Sequence, residues 1–446
     1  MSEWKKVKIG EFLKQYRNTI YVDDAQQYRQ VTISSKDGVK YRCTKIGKEI
    51  GRKRQFLIDL KKYPNTVIFT RQGLHEGSIG LAPEEVDCCI ATENMPMFSV
   101  DDTVIDTQYL KNLLRSPIFA NLVSTLTPTG SAQKSIHERD LLPLEISIPN
   151  LETQKKIVKE ISSQLEMTEL LSSEIEKQKS YAKQLRQNIL QEAIEGKLTA
   201  DWHKQHPVQK GNPDYDAEAL FDKIQAENSE TKSSKKTVAP ITKDEIPFEI
   251  PTGWKWVRLG EICRKLTDGS HNPPPNSGKG YPVISAMNIK NGRISLDNVI
   301  RYTDENGFQR ENKRTSITKG DIIMGIIGAS IGNVAIYDHD KKVIAQRSIA
   351  IIDALIDNVF VLNALNSIFI QKYLNEKAFG SAQGGVYLGK ISNIPFPLPP
   401  LAEQKEIVAR VEQHLQTITQ LESQIATRET TTKQLMQSIL KDAFEN

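Results

Sequence analysis

Few residues in this chain combine in a way that could do chemistry. His271 to Asn276 reads HNPPPN. An Asn-Pro-Pro-aromatic loop can hold an extruded adenine by its amino group while its ring stacks on the base. The fourth position here is Pro275, which has no ring, so a stiff surface loop is expected. GIIGASIG (Gly325 to Gly332) carries three glycines without the GxGxxG spacing that brings backbone close to a pyrophosphate, and GxxxxGK[ST] is absent. Strand turns are expected there instead. His203 and His206 form an HxxH pair with no accompanying ligand pattern, so no metal is assigned. Cys43, Cys88, Cys89 and Cys263 form no CxxC pair, and the adjacent two read as part of a buried strand. No catalytic constellation and no cofactor of its own is expected of the chain.

The elements that would position any site are clearer. From Leu151 to Leu198 the chain reads as one long amphipathic helix, with Val158, Ile161, Leu165, Leu171, Ile175, Ala182, Leu185 and Ile189 at steps of three or four, Thr168 and Gln178 completing the series. The same series returns at a constant offset of 250 as Val408, Val411, Leu415, Ile418, Leu421, Ile425, Arg428, Thr432, Leu435 and Ile439. These positions predict a coiled-coil seam, with Gln178 and Arg428 as polar groups that fix register. At about 1.5 Å per residue each helix would extend roughly 65 to 70 Å.

The offset extends well beyond the helices. EWKKVKIGEFLK from Glu3 matches GWKWVRLGEICRK from Gly253, GSAQ at Gly130 recurs at Gly380, and Pro149, Leu151, Gln154, Lys155, Ile157 and Val158 recur as Pro399, Leu401, Gln404, Lys405, Ile407 and Val408. Between these anchors, residues 15–129 and 265–379 share little beyond apolar strands and glycine turns. The reading is a tandem duplication of mixed α/β (α+β) domains: 1–150 and 246–400 globular, 151–198 and 401–446 helical, 199–245 a linker. The linker contains the amphipathic piece AEALFDKIQAEN and the polar stretch NSETKSSKKT, expected to be flexible.

At 446 residues, 38% hydrophobic and 26% charged, with a net charge of +4, the composition suits an ordinary soluble protein and selects no partner. The start MSEWKKVKIG has no apolar core of a signal peptide and no segment reads as membrane-spanning, so a cytoplasmic protein is expected. Connectivity favours an antiparallel helix pair. Two inverted, diverged heads at fixed separation would suit an asymmetric split site on duplex DNA. A duplicated coiled-coil scaffold with two protein-binding heads fits the same geometry and stays open.

PPLAEQKEIV (Pro399 to Val408), its copy IPNLETQKKIV, NILQEAIEGKLTADWH (Asn188 to His203), the repeated WxxVxxGE openings and DGSHNPPPNSGKGYPVISAMNIKNGRI (Asp268 to Ile294) together resemble the specificity subunits of type I restriction-modification systems. The resemblance covers nearly the whole chain. It implies two target recognition domains, each reading half of a split DNA target, with the helices as spacer. It further implies methyltransferase subunits, two of them, that bind around the helices and modify adenine with S-adenosylmethionine, and a separate motor and nuclease subunit using ATP and magnesium. Two departures stand out. Asn150 and Thr153 occupy positions where the second copy has Pro400 and Glu403, so the two partner contacts would differ; and the GKLTADWH segment has no mate before Asn446. A self-sufficient methyltransferase is the least supported reading.

For DNA, Arg suits guanine, Asn or Gln suits adenine, and Lys suits phosphate. Candidates on expected loops are Arg71, Gln72, His75 and Lys134 in the first domain and His271, Asn272, Lys279, Gln346 and Arg347 in the second. Gln133 and Gln383, shared by the copies, are expected to serve the common frame.

Overall fold

The computed structural model describes residues 4–35, 37–129, 134–231, 239–378 and 384–445. Gln133 and Gln383, with the rest of both GSAQ segments, lie outside the described residues. By compactness the chain divides into two units, Met1–Lys177 with Ile425–Asn446, and Gln178–Gln424.

In the first unit β1 (Lys5–Lys8), α1 (Ile9–Phe12) and β2 (Leu13–Tyr16) lead into β3 (Thr19–Tyr21), β4 (Gln27–Ser34), β5 (Gly38–Ile46) and β6 (Arg54–Leu57), then β7 (Val67–Phe69), β8 (Ile79–Leu81), β9 (Ile90–Ala91) and β10 (Met97–Val100). Helices α2 (Thr107–Leu114), α3 (Pro117–Ser124) and α4 (Glu138–Leu141) precede β11 (Glu145–Ile148). Strands β2-β10-β7-β8 form one antiparallel sheet, and β3-β6-β9-β4-β5 form a mixed sheet in which β4 and β9 run parallel. The first sheet is the frame. Its core joins Phe12, Phe69 and Phe98 to Tyr109 and Phe119 of the helices. The second sheet is built almost wholly from residues inserted between β2 and β7, with β9 completing it.

Helix α5 (Leu151–Ile194) is followed by α6 (Ala200–Gln205) and α7 (Ala217–Thr231). The amphipathic piece of the expected linker forms α7, and one face of it, Ala217, Leu220 and Ile224, is buried, because an amphipathic segment beside a domain gains more by burying its apolar stripe than it loses in chain entropy; most of the polar stretch NSETKSSKKT lies outside the described residues.

The second unit has β12 (Lys255–Arg258), β13 (Cys263–Asp268), β14 (Tyr281–Ile284), β15 (Ile289–Lys290), β16 (Arg293–Ile294) and β17 (Tyr302–Thr303), then α8 (Glu305–Thr315), β18 (Ile322–Gly325), β19 (Val334–Ile336), β20 (Ile344–Ala345) and β21 (Ile349–Ala354). Helices α9 (Asn358–Leu365), α10 (Ile368–Ala378) and α11 (Leu388–Ser392) lead to β22 (Pro395–Leu398) and α12 (Leu401–Phe444). The frame sheet β13-β21-β18-β19 has the same order as that of the first unit, and β1–β11 and β12–β22 pair antiparallel in one register, Lys5 opposite Ile148 and Lys255 opposite Leu398. The insert differs: here it is β17-β14-β20, the β15–β16 hairpin and α8.

The repeated motifs have structural reasons. In WxxVxxGE the Val sits on the paired strand. The Glu carboxylate accepts from the backbone N–H three residues earlier, Lys8 to Glu11 at 2.8 Å and Arg258 to Glu261 at 2.7 Å. A Cβ at Gly10 would press on Leu142 at 3.2 Å, and one at Gly260 would run into Ser392. Gln154 and Gln404 are fully buried and do one job in both copies: each side chain accepts from the N–H of the residue capping an earlier helix of its own domain (Asp106 of α2 at 2.7 Å, Asp357 of α9 at 3.2 Å) and donates to the carbonyl of Pro149 or Pro399. Gly196, in GKL, has φ +70° and lies against Pro251 with no room for a Cβ.

In the first unit Ile161 and Leu165 of α5 share a core with Leu440 and Phe444 of α12. In the second, Arg186 meets Glu422 at 3.1 Å, and Arg410 grips Asp201 at 2.5 and 3.0 Å. The two helices are antiparallel in each. The seam is narrower than the spacing predicts. Ile161, Thr168, Ile175, Ala182 and Ile189, and Val411, Ile418, Ile425 and Thr432, are buried one per seven residues. Leu165 is buried too, while Leu415 and Ile439 are half-buried. Leu171 (42%), Leu185 (45%), Leu421 (42%) and Leu435 (47%) are exposed rather than core. Two helices alone enclose only the row between them, so the flanking row faces outward.

Cys89 is buried, but Cys88 is exposed at φ +59° in a turn before β9 rather than in a strand. Among the described residues, no helix is long and apolar enough to cross a membrane.

Candidate nucleic-acid interface

In each unit a polar recess lies where the insert leaves the frame. In the first it measures about 240 Å3 and is lined by Arg17 just past β2, Arg52 and Arg54 at β6, Arg71 after β7, and Glu93 with Asn94 after β9. Arg71 is fixed by Glu138, its Nη2 at 2.6 Å and Nε at 3.1 Å, and Gln15 donates to the same carboxylate at 2.8 Å. Burial opposes ionisation of Glu138, but these donors, Arg71 foremost, outweigh it and hold the carboxyl below its ordinary range. Arg54 and Arg52 share Glu93 at 3.2 and 3.7 Å.

In the second unit the recess measures about 470 Å3, between the turn at Ser270 to Asn272 just past β13 and Arg310, Glu311 and Arg314 on α8. Asp268 accepts from His271 at 2.7 Å and Arg314 at 3.1 Å, and Arg314 also reaches the Gly269 carbonyl. A parallel bridge between Ser270 and Gln346 puts Gln346 and Arg347 beside this turn.

The structure therefore gathers His271, Asn272, Gln346 and Arg347 in one neighbourhood. Lys279 is exposed beyond the proline run. In the first domain Gln72 and Lys134 are exposed, and His75 stands on a short helical turn with its Nδ1 buried and unpartnered. Arg71 lines the recess as a structural cation, its fork already engaged by Glu138. Sequence reasoning missed Arg17, Arg52, Arg54 and Asn94, and Arg310 and Arg314. The last two sit on α8, whose Asp304 cap, accepting from the Gly307 N–H at 2.8 Å, and Lys313–Arg314 last turn are legible helix signals.

The proline run is structural: Pro274 is buried and its carbonyl accepts from Arg301 at 2.7 Å. Gly325, Gly328 and Gly332 end a strand and shape turns, the last two at φ +66° and +80°. His203 lies 2.7 Å from Glu403, and His206 stacks on Trp202. Glu403 is fully buried and also accepts from Thr199 and Trp254, each at 2.6 Å. Its difference from Thr153 thus serves an internal junction of the second unit. Asn150 caps α5, its side chain accepting from Thr153. A wider recess of about 880 Å3 runs from Gly196 to Thr252, with Pro207, Val208, Phe248, Ile250 and Pro251 in its walls, and lacks the cluster of guanidinium forks seen in the other two.

A repeated frame carries two different inserts, each with a basic polar recess at its root. A family profile described as type I restriction modification DNA specificity domain matches residues 1–178 and again 251–428, so the chain belongs to the specificity subunits of type I restriction-modification systems. It is 26% identical to the type I restriction enzyme EcoBI specificity subunit of Escherichia coli over 70% of this chain, and spans 60% of that relative's length. Over 78% of the chain it is 25% identical to the EcoDI specificity subunit of the same species, covering 71% of it. The MjaVIII specificity subunit of Methanocaldococcus jannaschii is 22% identical across 92% of this chain and 85% of its own. The fold matches a chain from a solved structure described as the structural basis of complex assembly and conformational transition of the type I R-M system, with a TM-score of 0.54 and 19% identity over 99% of this chain and 97% of that one.

Proposed function

We propose that this chain is the DNA-reading subunit of a type I restriction-modification complex, each globular domain recognising one half of a split target and the two long helices setting the gap. The observation that carries this reading is the pairing of one conserved frame, with equal strand order and register, with two unrelated inserts whose basic recesses open at the same place on that frame. A common frame fixes orientation, and different inserts present different donors and acceptors to base edges.

The helices also bind the methyltransferase subunits, two per chain. What supports this is the outward row of apolar side chains: Met167, Leu170, Leu171 and Leu435 in the first unit, and Tyr181, Leu185 and Leu421 in the second. Such residues favour a protein partner. The chain itself is non-catalytic and works in the cytoplasm. S-adenosylmethionine, ATP and magnesium belong to the methyltransferase and to the motor and nuclease subunits.

Methylation mapping in a host expressing this chain with its methyltransferase, against the same host without the chain, tests the reading. A split motif with one modified adenine on each strand, vanishing on deletion, is the expected result. An active methyltransferase that leaves no such motif would overturn it in favour of a protein-binding scaffold.

A further inference from the structure

The recess of the first unit brings together groups far apart in sequence, and its four arginines are not equivalent. Arg71 is spent on Glu138. Arg52 and Arg54 stand at the rim, tethered to Glu93, with 72% and 48% of their side chains exposed. Arg17, exposed, has no hydrogen bond or ion pair with another described residue, and neither has the side chain of half-buried Asn94. Two free side chains of the types that read bases therefore line one recess, one just past the frame strand β2, the other after β9.

The mixture of groups decides what fits. A phosphate wants donors only, and the Glu93 carboxylate and Asn94 Oδ1 would oppose it inside the recess. A base-pair edge presents acceptors and an amino donor side by side, which a guanidinium next to an amide oxygen matches. The rim arginines, exposed to solvent, suit the flanking backbone.

Building on the DNA-reading role, we propose that Arg17 is the guanine-reading residue of the first domain, its fork pairing with O6 and N7 in the major groove. Asn94 accepts from the amino group of a neighbouring base. Arg52 and Arg54 exchange Glu93 for phosphates on the flanking strand. Glu93 is then a positioning residue that holds both cations at the rim until DNA arrives.

The test is methylation mapping of the assembled complex carrying wild-type chain, Arg17→Ala, Arg17→Lys, Asn94→Ala or Arg52→Ala, with thermal unfolding of each. For Arg17→Ala the expected result is loss of discrimination at one guanine in one half of the target, about 10- to 100-fold, with the other half unchanged. Asn94→Ala should relax an adjoining position in the same half. Arg52→Ala should weaken DNA binding on all sequences alike and reduce the salt slope by about 1. An unchanged motif in Arg17→Ala and Asn94→Ala, or a uniform loss of methylation with the motif intact, would overturn the assignment. If Arg17→Ala does not fold, Arg17→Lys and Asn94→Ala carry the decision, Arg17→Lys being expected to relax the same guanine. A wild-type complex with no split motif would instead sink the DNA-reading role itself.

Discussion

Arg258 anchors the segment that enters the second domain. It is buried, and its guanidinium donates to the carbonyls of Ala239, Pro240 and Asn393 and to Glu245 at 2.7 and 2.8 Å. Removing one partner of such a pair strands the rest, so Arg258→Ala should cost about 3 kcal/mol, Glu245 being partly exposed; denaturant unfolding of the second unit measures it. The Arg258 hydrogen bond also lowers the Glu245 carboxyl from an ordinary 4.5 to about 2. A depressed carboxylate stabilises the fold above its unfolded pKa, so this contribution should be complete above pH 4.5 and fade as pH falls toward about 2. Arg258→Ala should flatten that part of the stability profile, and a slope equal to wild type would refute the pairing.

The long helices show how an element's pattern can be right while its contact row is not. Ile175 and Ile425 are buried and Leu171 is 42% exposed. Ile175→Asp should therefore disrupt the helix pair and abolish site-specific methylation, because an unpaired carboxylate replaces core. Leu171→Asp should keep the melting temperature close to wild type and, if the outward row docks methyltransferase, weaken assembly by an order of magnitude in a co-purification or calorimetric titration. Loss of stability in both variants would mean that the outward row is core after all. Gln154 and Gln404 act at the same scale: each ties the start of a long helix to its own domain through a buried side chain.

At the scale of the whole molecule, each long helix passes through both compact units. If the helices set the spacing of the half-sites, adding one heptad to both α5 and α12 keeps the buried seven-residue row in register and lengthens the separation by about 10 Å. The methylated motif should then keep both half-sites with a gap about three base pairs wider, DNA rising about 3.4 Å per pair. An unchanged gap would refute the spacer role. Exchanging the insert after β2 for that of a relative should change one half-site only.

The sequence by itself determined the duplication, both long helices and the family, because repeats and periodicity are local patterns that survive without knowledge of the fold. It also located the turn at His271 and Asn272. Only the tertiary structure decided which apolar row is buried, since spacings of three and four supply two rows and the sequence does not say how many neighbours will cover them. It also gave Glu403 to Trp254, Thr199 and His203. It buried the amphipathic piece of the expected linker within the second unit, and gathered Arg17, Arg52 and Asn94 from separate segments into one recess. Those contacts depend on how inserted strands return to the frame, and that is set by long-range strand pairing rather than by any stretch of residues read alone.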